Sequence, residues 1–329
     1  MSQYRLPDVI VHPTPLATEI AETPWHVAKS RITDVRTQYG VDGSGVPGGV
    51  ADTGVDELHC KLGGLKGRVV RQVNFTSDGG MEGWDGHSHG THVAGCILSM
   101  APKVSLSSYK CLDDRGSGGE QEIAAALKTA ADDGNWFVNG SFGSSVSSKV
   151  ILDALEYCLA RNCLPIIAAG NSGQDVQWPA RSEFCFSTGA TDDQDRIAPF
   201  SSRGPQVDVG YYGVRILSYG LRGGYLVQSG TSMSAPIFCG LLALRMQWEV
   251  IKFGSRKMLT LADLERWVTE CSQDVGAPGR DDVFGIGIPD ATRAFKADVP
   301  IPPPVSDGKL VDSWTTAGGK FTLYHKAAA

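Results

Sequence analysis

Residues 120–170 read EQEIAAALKTAADDGNWFVNGSFGSSVSSKVILDALEYCLARNCLPIIAAG, and this stretch decides the fold. Two helical patterns, EQEIAAALKTAADDG and SKVILDALEYCLARN, alternate with two short apolar runs, WFVNGSF and LPIIAAG. Short apolar runs bounded by turn residues behave as strands buried on both faces. Longer amphipathic helices between them make βαβ units, which force the strands parallel. The alternation extends in both directions. Upstream, GVDGSGVPGGVADTGVD is a loop leading into a buried strand that ends at Asp52. KGRVVRQVNF and KVSLSSYKCL are further strands, and SHGTHVAGCILSM is a helix. WHVAKSRITDVRTQY (25–39) reads as a helix, and helices over 232–251 and 261–271 close the domain. The expected fold class is α/β: a three-layer, doubly wound, mostly parallel sheet with helices on both faces.

Composition agrees. The chain has 329 residues, 42% hydrophobic and 20% charged, a balance that supports a sizeable core rather than disorder. The net charge of −6 argues against nucleic acid as a partner, and no apolar run is long enough to span a bilayer. The start, MSQYRLPDVIVHPTPL, has neither a basic n-region nor an apolar h-region, so the expected location is cytoplasmic. Eight cysteines form no CxxC and no zinc spacing, and read as buried reduced thiols. The expected organisation is an irregular, Pro-rich extension over 1–24, one domain over 25–297, and a Pro-rich linker and tail over 298–329. The tail contains a strand-like segment, GKFTLYHK.

Three short segments carry chemistry. VADTG ends a buried strand in the carboxylate of Asp52. SHGTHVAG starts a helix with His89 and continues with small residues. GTSMSAP puts Ser232 at a helix N-terminus, where unpaired N–H groups favour an anion, and puts Pro236 in the first turn. Alone, each has a plainer reading: an acidic turn, a capping histidine, an N-cap serine. Together, in the order Asp…His…Ser, they follow one of the chain orders in which a serine-hydrolase triad recurs. IIAAGNSG adds a buried strand running into Asn171, whose amide can meet an oxyanion, and NGSFG can offer an edge to an extended peptide.

With VADTGVD, SHGTHVAG, AAGNSG, GTSMSAP, NGSFG, FSSRGP and FGIGIPDA in this order, the chain closely resembles the subtilisin-like serine proteases over residues 25–295. The resemblance implies a serine endopeptidase acting through an acyl-enzyme on protein or peptide substrates held in extended conformation. It makes Ser232 the nucleophile, His89 the general base and then acid, and Asp52 the support of His89. It makes Asn171 an oxyanion donor beside the Ser232 N–H. Gly116, Ser117 and Gly118, with Ser141, Phe142 and Gly143, resemble the two strands that flank the substrate. Ala168, Ala169 and Gly170 resemble a wall of the S1 pocket, and Trp178-Pro179 a cis bond. His92 reads as a structural helix histidine and His87 as an exposed loop residue. Two other readings keep the fold: a catalytically degenerate subtilase that binds peptides, and a processing or transpeptidating one.

Several positions depart from the family pattern. CILSMAPKV leaves no room for the family's long calcium loop, and Lys61 stands where relatives place an aspartate ligand; an ammonium cannot ligate calcium. No cofactor is expected for the chemistry, with a weak structural calcium site at Asp208 the remaining metal candidate. The short leader is similar to that of the intracellular branch. By analogy, Arg5-Leu6-Pro7-Asp8 or VIVHPTPL lies across the cleft, with proline placed to resist cleavage. Side-chain preference stays open: Phe142 and Trp178 suit apolar groups, whereas Asp175, Gln177, Glu120 and Glu122 suit basic ones.

Overall fold

The apolar runs pair side by side in one central sheet. The computed structural model of the chain describes residues 3–12, 23–295, 313–316 and 319–322. In chain order its main strands are β1 (Gln3–Arg5), β2 (Ile10–His12), β3 (Pro47–Asp52), β4 (Val69–Asn74), β5 (Ser105–Lys110), β6 (Ser117–Gly119), β7 (Phe137–Gly140), β8 (Leu164–Ala168), β9 (Phe186–Thr191), β10 (Val209–Tyr212), β11 (Ile216–Tyr219) and β12 (Tyr225–Ser229). Its helices are α1 (Trp25–Lys29), α2 (Ile32–Tyr39), α3 (Glu57–Lys61), α4 (His89–Met100), α5 (Glu120–Asp132), α6 (Lys149–Ala160), α7 (Thr231–Phe253) and α8 (Leu261–Cys271).

Seven strands form a sheet in the order β10-β9-β8-β7-β3-β5-β4, and every neighbouring pair is parallel. The chain lays β4 and β5 on one side of β3, then crosses to build β7 to β10 on the other. Such a reversal leaves a crevice at the carboxyl ends of the strands, the usual place for a ligand in an open α/β sheet. Asp52 ends β3 and Ser141 follows β7, so both stand at this crevice.

Two apolar layers hold the helices on. One face packs α4 and α7 through Val93, Ile97, Phe238 and Leu242. The other packs α5 and α6 through Ile123, Leu127 and Leu155. The helix α4 fits against α7 because Gly240 has no side chain: a Cβ there would lie 2.6 Å from the Met100 Cβ and 2.7 Å from the Ile97 carbonyl oxygen. The doubly wound, three-layer class read from the sequence is the observed one.

The expected single helix over 25–39 is two helices. Arg31 stands between α1 and α2 with φ 54, a left-handed conformation that ends one helix and redirects the next. The tail segment GKFTLYHK is a strand over Gly319–Thr322, paired antiparallel with Ser313–Thr316. The linker DVPIPPPVSDG, the proline-rich end of VIVHPTPL and the terminal Ala327–Ala329 lie outside the described residues. No helix among the described residues is long and apolar enough to cross a membrane. No disulfide joins the eight cysteines.

Candidate active site

Every residue of β3 after Pro47 is buried, so the strand delivers Asp52 into the interior at 0% exposure. A buried carboxylate must be hydrogen-bonded. Asp52 accepts from the Thr53 N–H (2.8 Å), and its two oxygens lie 2.8 and 3.0 Å from Nδ1 of His89. An acceptor-only carboxylate requires the proton on Nδ1, which leaves Nε2 with its lone pair. His89 opens α4 and is fully buried.

The loop before His89 is anchored by Asp85, which the sequence reading missed. One of its oxygens accepts from Thr53 Oγ1 and from the N–H groups of His87 and Ser88; the other accepts from the Thr91 N–H and hydroxyl. Burial pushes the Asp85 carboxyl above its ordinary range, against the pull of these donors. Thr53 Oγ1 also accepts from the Gly90 N–H (3.0 Å), so the ends of β3 and α4 are tied together.

Ser232 is the second residue of α7, with Gly230 before the helix. Its hydroxyl and His89 Nε2 are both buried, and neither has a hydrogen-bond partner among the described residues. The carboxylate–imidazole link is therefore formed and the imidazole–hydroxyl link is open. Pro236 is not in the first turn, as the sequence suggested, but lies further inside α7. A proline there frees the carbonyl four residues back, that of Ser232. That oxygen accepts instead from Ser141 Oγ (3.2 Å), which explains how the helix tolerates it.

Asn171 follows β8. Its carboxamide oxygen accepts from the N–H (2.9 Å) and hydroxyl (2.8 Å) of Thr231, which turns Nδ2 outward. Thr231 Oγ1 also accepts from the Gly170 N–H (3.1 Å). Thr231 thus positions the donor and its strand end, a role the sequence reading did not give it. GTSMSAP contains the residue, but nothing in the motif names its partner.

The groove beside these groups is filled by the chain's own start. β1 pairs antiparallel with β6: Gln3 with Gly119, Tyr4 with Gly118, Arg5 with Ser117. The Leu6 N–H donates to the Gly116 carbonyl (3.0 Å). On the other side Arg5 and Gly143 exchange two backbone bonds, 3.1 and 2.9 Å. Both expected flanking segments therefore hold residues 3–6 between them. Tyr4 is fully buried, edge-on to Phe142, and its hydroxyl donates to the Val146 carbonyl (3.2 Å). Burial, with the Glu120 carboxylate nearby, raises the phenol to about 12, so it remains a donor. Pro7 is buried, and Asn171 Nδ2 donates to the Asp8 carbonyl oxygen (3.0 Å). Beyond it β2 pairs antiparallel with β12, and His12 Nε2 lies 2.6 Å from Ser229 Oγ.

Other expected residues fall as follows. Ala168, Ala169 and Gly170 are buried at the end of β8. The Trp178-Pro179 bond is cis. His92 Nε2 lies 3.0 Å from the carbonyls of both Ile216 and Leu226, a structural role. His87 is not an exposed loop residue: it is half-buried, its ring centroid is 6.3 Å from that of His89, and burial lowers its pKa. Asp208 does not fit a cation site. Its carboxylate pairs with the Arg280 guanidinium (2.7 Å) and accepts from the Ser187 N–H (2.7 Å), an arrangement in which a cation would compete with an arginine. Among the described residues no group of three or more His, Cys, Asp or Glu could hold a metal ion.

A family model described as the subtilase family matches residues 43–287. A thermophilic serine proteinase from Bacillus sp. (strain AK1) is 36% identical over 227 residues, covering 66% of this chain and 56% of that protein. Alkaline elastase YaB from Bacillus sp. (strain YaB) is 33% identical over 241 residues, covering 70% and 61%. Subtilisin DY from Bacillus licheniformis is 32% identical over 235 residues, covering 67% and 83%. The chain thus spans less than two thirds of the length of the first two of these relatives.

Proposed function

The chain belongs to the subtilase family, and from that membership we propose that it is a serine endopeptidase that cleaves extended polypeptides through an acyl-enzyme. The observation that carries the reading is the buried Asp52–His89 pair, which leaves a nitrogen lone pair on the imidazole, while the buried hydroxyl of Ser232 has no partner of its own among the described residues. Serine is a poor nucleophile until a base takes its proton. His89 Nε2 takes the Ser232 proton as the oxygen attacks the substrate carbonyl, and Asp52 stabilises the imidazolium. The oxyanion receives Asn171 Nδ2 and the Ser232 N–H. His89 then protonates the leaving amine, and water repeats the sequence to release the acid. A His89–Ser232 hydrogen bond has to form for this step; such bonds commonly tighten only with substrate bound. The chemistry proposed here needs no cofactor.

A second part of the reading is self-blockade by residues 3–8. Arg5 sits on Gly143 and Leu6 on Gly116, so the next carbonyl in register is that of Pro7. The Asn171 amide instead holds the carbonyl of Asp8, one residue further on. Pro7 has no N–H to continue the pairing. The segment lies like a substrate upstream and out of register at the reacting carbonyl.

A fluorophosphonate probe tests the peptidase reading. The parent chain acquires one adduct at Ser232, and Ser232→Ala acquires none. A folded parent chain that stays unlabelled at saturating probe, with and without residues 1–12, would favour the degenerate, peptide-binding alternative. Products longer than the substrate would favour the transpeptidating one.

A further inference from the structure

Lys110 ends β5, level with Asp52 in the β3–β5 register, and its side chain is only 1% exposed. An ammonium withdrawn from water is costly unless its protons are used. Nζ donates to the Thr53 carbonyl oxygen (2.6 Å) and to Asp114 Oδ1 (2.8 Å). Both partners lead to the site. Thr53 follows Asp52, and each of its polar groups is committed there: its N–H to the Asp52 carboxylate, its hydroxyl to Asp85 and from the Gly90 N–H, its carbonyl to Lys110. Asp114 belongs to the loop between β5 and β6. Its Oδ1 also accepts from the Gly86 N–H (3.2 Å), in the loop before His89. The approach is close: a Cβ on Gly86 would lie 2.3 Å from Asp114 Cγ. Three segments thus converge on one ammonium: the residue after Asp52, the loop that leads to His89, and the loop that leads to β6.

The Cys111 and Leu112 N–H groups both donate to the Asp52 carbonyl oxygen, 2.9 and 3.2 Å, which fixes the peptide before Thr53. Lys110 fixes the peptide after it. With both planes held, the backbone of Thr53 is set, and so is the direction of its hydroxyl, the group that ties β3 to the loop and helix carrying His89. We propose that Lys110 is a positioning residue for the proton-transfer pair: by holding the Thr53 carbonyl it keeps the end of β3, and so Asp52, aligned with His89 at the start of α4. The inference rests on the peptidase reading above. Neither bond from the ammonium reaches a triad side chain, so its loss degrades the geometry of proton transfer rather than removing a reacting group. A misplacement of about 1 Å in such an arrangement costs up to about a hundredfold in rate.

The test compares the full parent chain with two variants on one tetrapeptide anilide. Lys110→Met keeps the length of the stem and loses the donor; Lys110→Arg keeps the charge and donors. Saturating substrate displaces residues 3–8 from the groove, so kcat is free of their competition. Lys110→Met is expected to lower kcat by about ten- to hundredfold with KM changed by less than about threefold, and Lys110→Arg to recover at least about threefold of that loss. Should Lys110→Met not fold, Lys110→Gln, shorter and neutral, is read against the same figures. A rise in KM with kcat intact would place the role of Lys110 at β6, through Asp114. Unchanged kcat and KM with a lower Tm would make it a structural clip. Either result, or an arginine variant no more active than the neutral one, overturns this inference and leaves the peptidase reading intact. A parent chain that, with or without residues 1–12, neither hydrolyses the anilide nor acquires a fluorophosphonate adduct sinks the peptidase reading and this inference with it.

Discussion

Asn171 presents a flexible carboxamide, and the proposed role as an oxyanion donor needs it aimed. Two bonds from Thr231 to its oxygen fix which way the NH2 group points. A donor fixed before the reaction costs no reorganisation as the oxyanion forms, which is why such donors matter more in the transition state than in substrate binding. Asn171→Ala is therefore expected to lower kcat by about 10²–10³-fold with little change in KM, the loss usual for serine proteases stripped of one oxyanion donor. Equal kcat in variant and parent would remove Asn171 from the oxyanion site. Thr231→Val keeps the shape and the N–H but deletes the hydroxyl bonds to Asn171 and from Gly170. Each such bond is worth about 0.5–1.5 kcal/mol, so kcat should fall by roughly tenfold with KM nearly constant, and Thr231→Ser should restore it. A loss confined to KM, or to thermal stability, would make Thr231 a structural residue only.

The strand β1 is held by backbone pairing and by the one buried side chain of Tyr4. Arg5 and Gln3 are exposed, so their side chains add little, while the Arg5 N–H donates to Gly143. Arg5→Pro removes that donor without touching the catalytic groups. The full-length variant should label with fluorophosphonate at least about tenfold faster than the parent, in line with one lost hydrogen bond plus ring clash in the groove. An unchanged labelling rate would mean that residues 3–8 do not restrict access. Elements also show what a sequence discloses. The strands and helices that repeat an apolar period, such as β5, β8 and α5, were legible because one strand or helix carries its whole signal. The break at Arg31 was not, since WHVAKSRITDVRTQY contains no glycine or proline and only tertiary packing selects the left-handed turn. The family was legible because the motifs around Asp52, His89 and Ser232 occur together and in order. Asp85, Thr231 and the burial of His87 were not, because their partners are set across loops by the fold. The ion pair of Asp208 was not legible for the same reason: Arg280 is 72 residues away.

At the scale of the whole molecule, two histidines that take no part in the chemistry govern how the fold responds to acid. His26, in α1, lies with Nε2 2.9 Å from Ser99 Oγ, and His92, in α4, donates to the carbonyls of Ile216 in β11 and Leu226 in β12. Both rings are fully buried. They thus join the outer segments to α4, the helix that starts with His89. Burial holds each of them down to about 3, against about 6.5 in an unfolded chain. Between those values the unfolded state binds the extra protons, so stability is fully present above about 6.5 and is lost as pH falls towards 3. The slope is at most ~1.4 kcal/mol per pH unit for each ring. Glu270 acts in the opposite sense. Burial raises it to about 7, so its contribution is fully present below the ordinary glutamate value and is lost as pH rises through 7. Asp85, raised by burial, acts with Glu270, and His12 and His87, lowered by burial, act with the two histidines, so the observed slope between roughly pH 4.5 and 6.5 is the net of all of these. In a Ser232→Ala background, which prevents self-digestion, urea unfolding across that range should show stability rising with pH. His92→Gln keeps a donor for the two carbonyls but cannot titrate, so it should flatten the profile by about one proton's worth. Glu270→Gln should steepen it. The readout is the slope rather than the absolute stability, so a uniform loss of stability from either substitution does not confuse the result. Parallel profiles for parent and His92→Gln would show that the ring is hydrated and titrates normally in the folded chain.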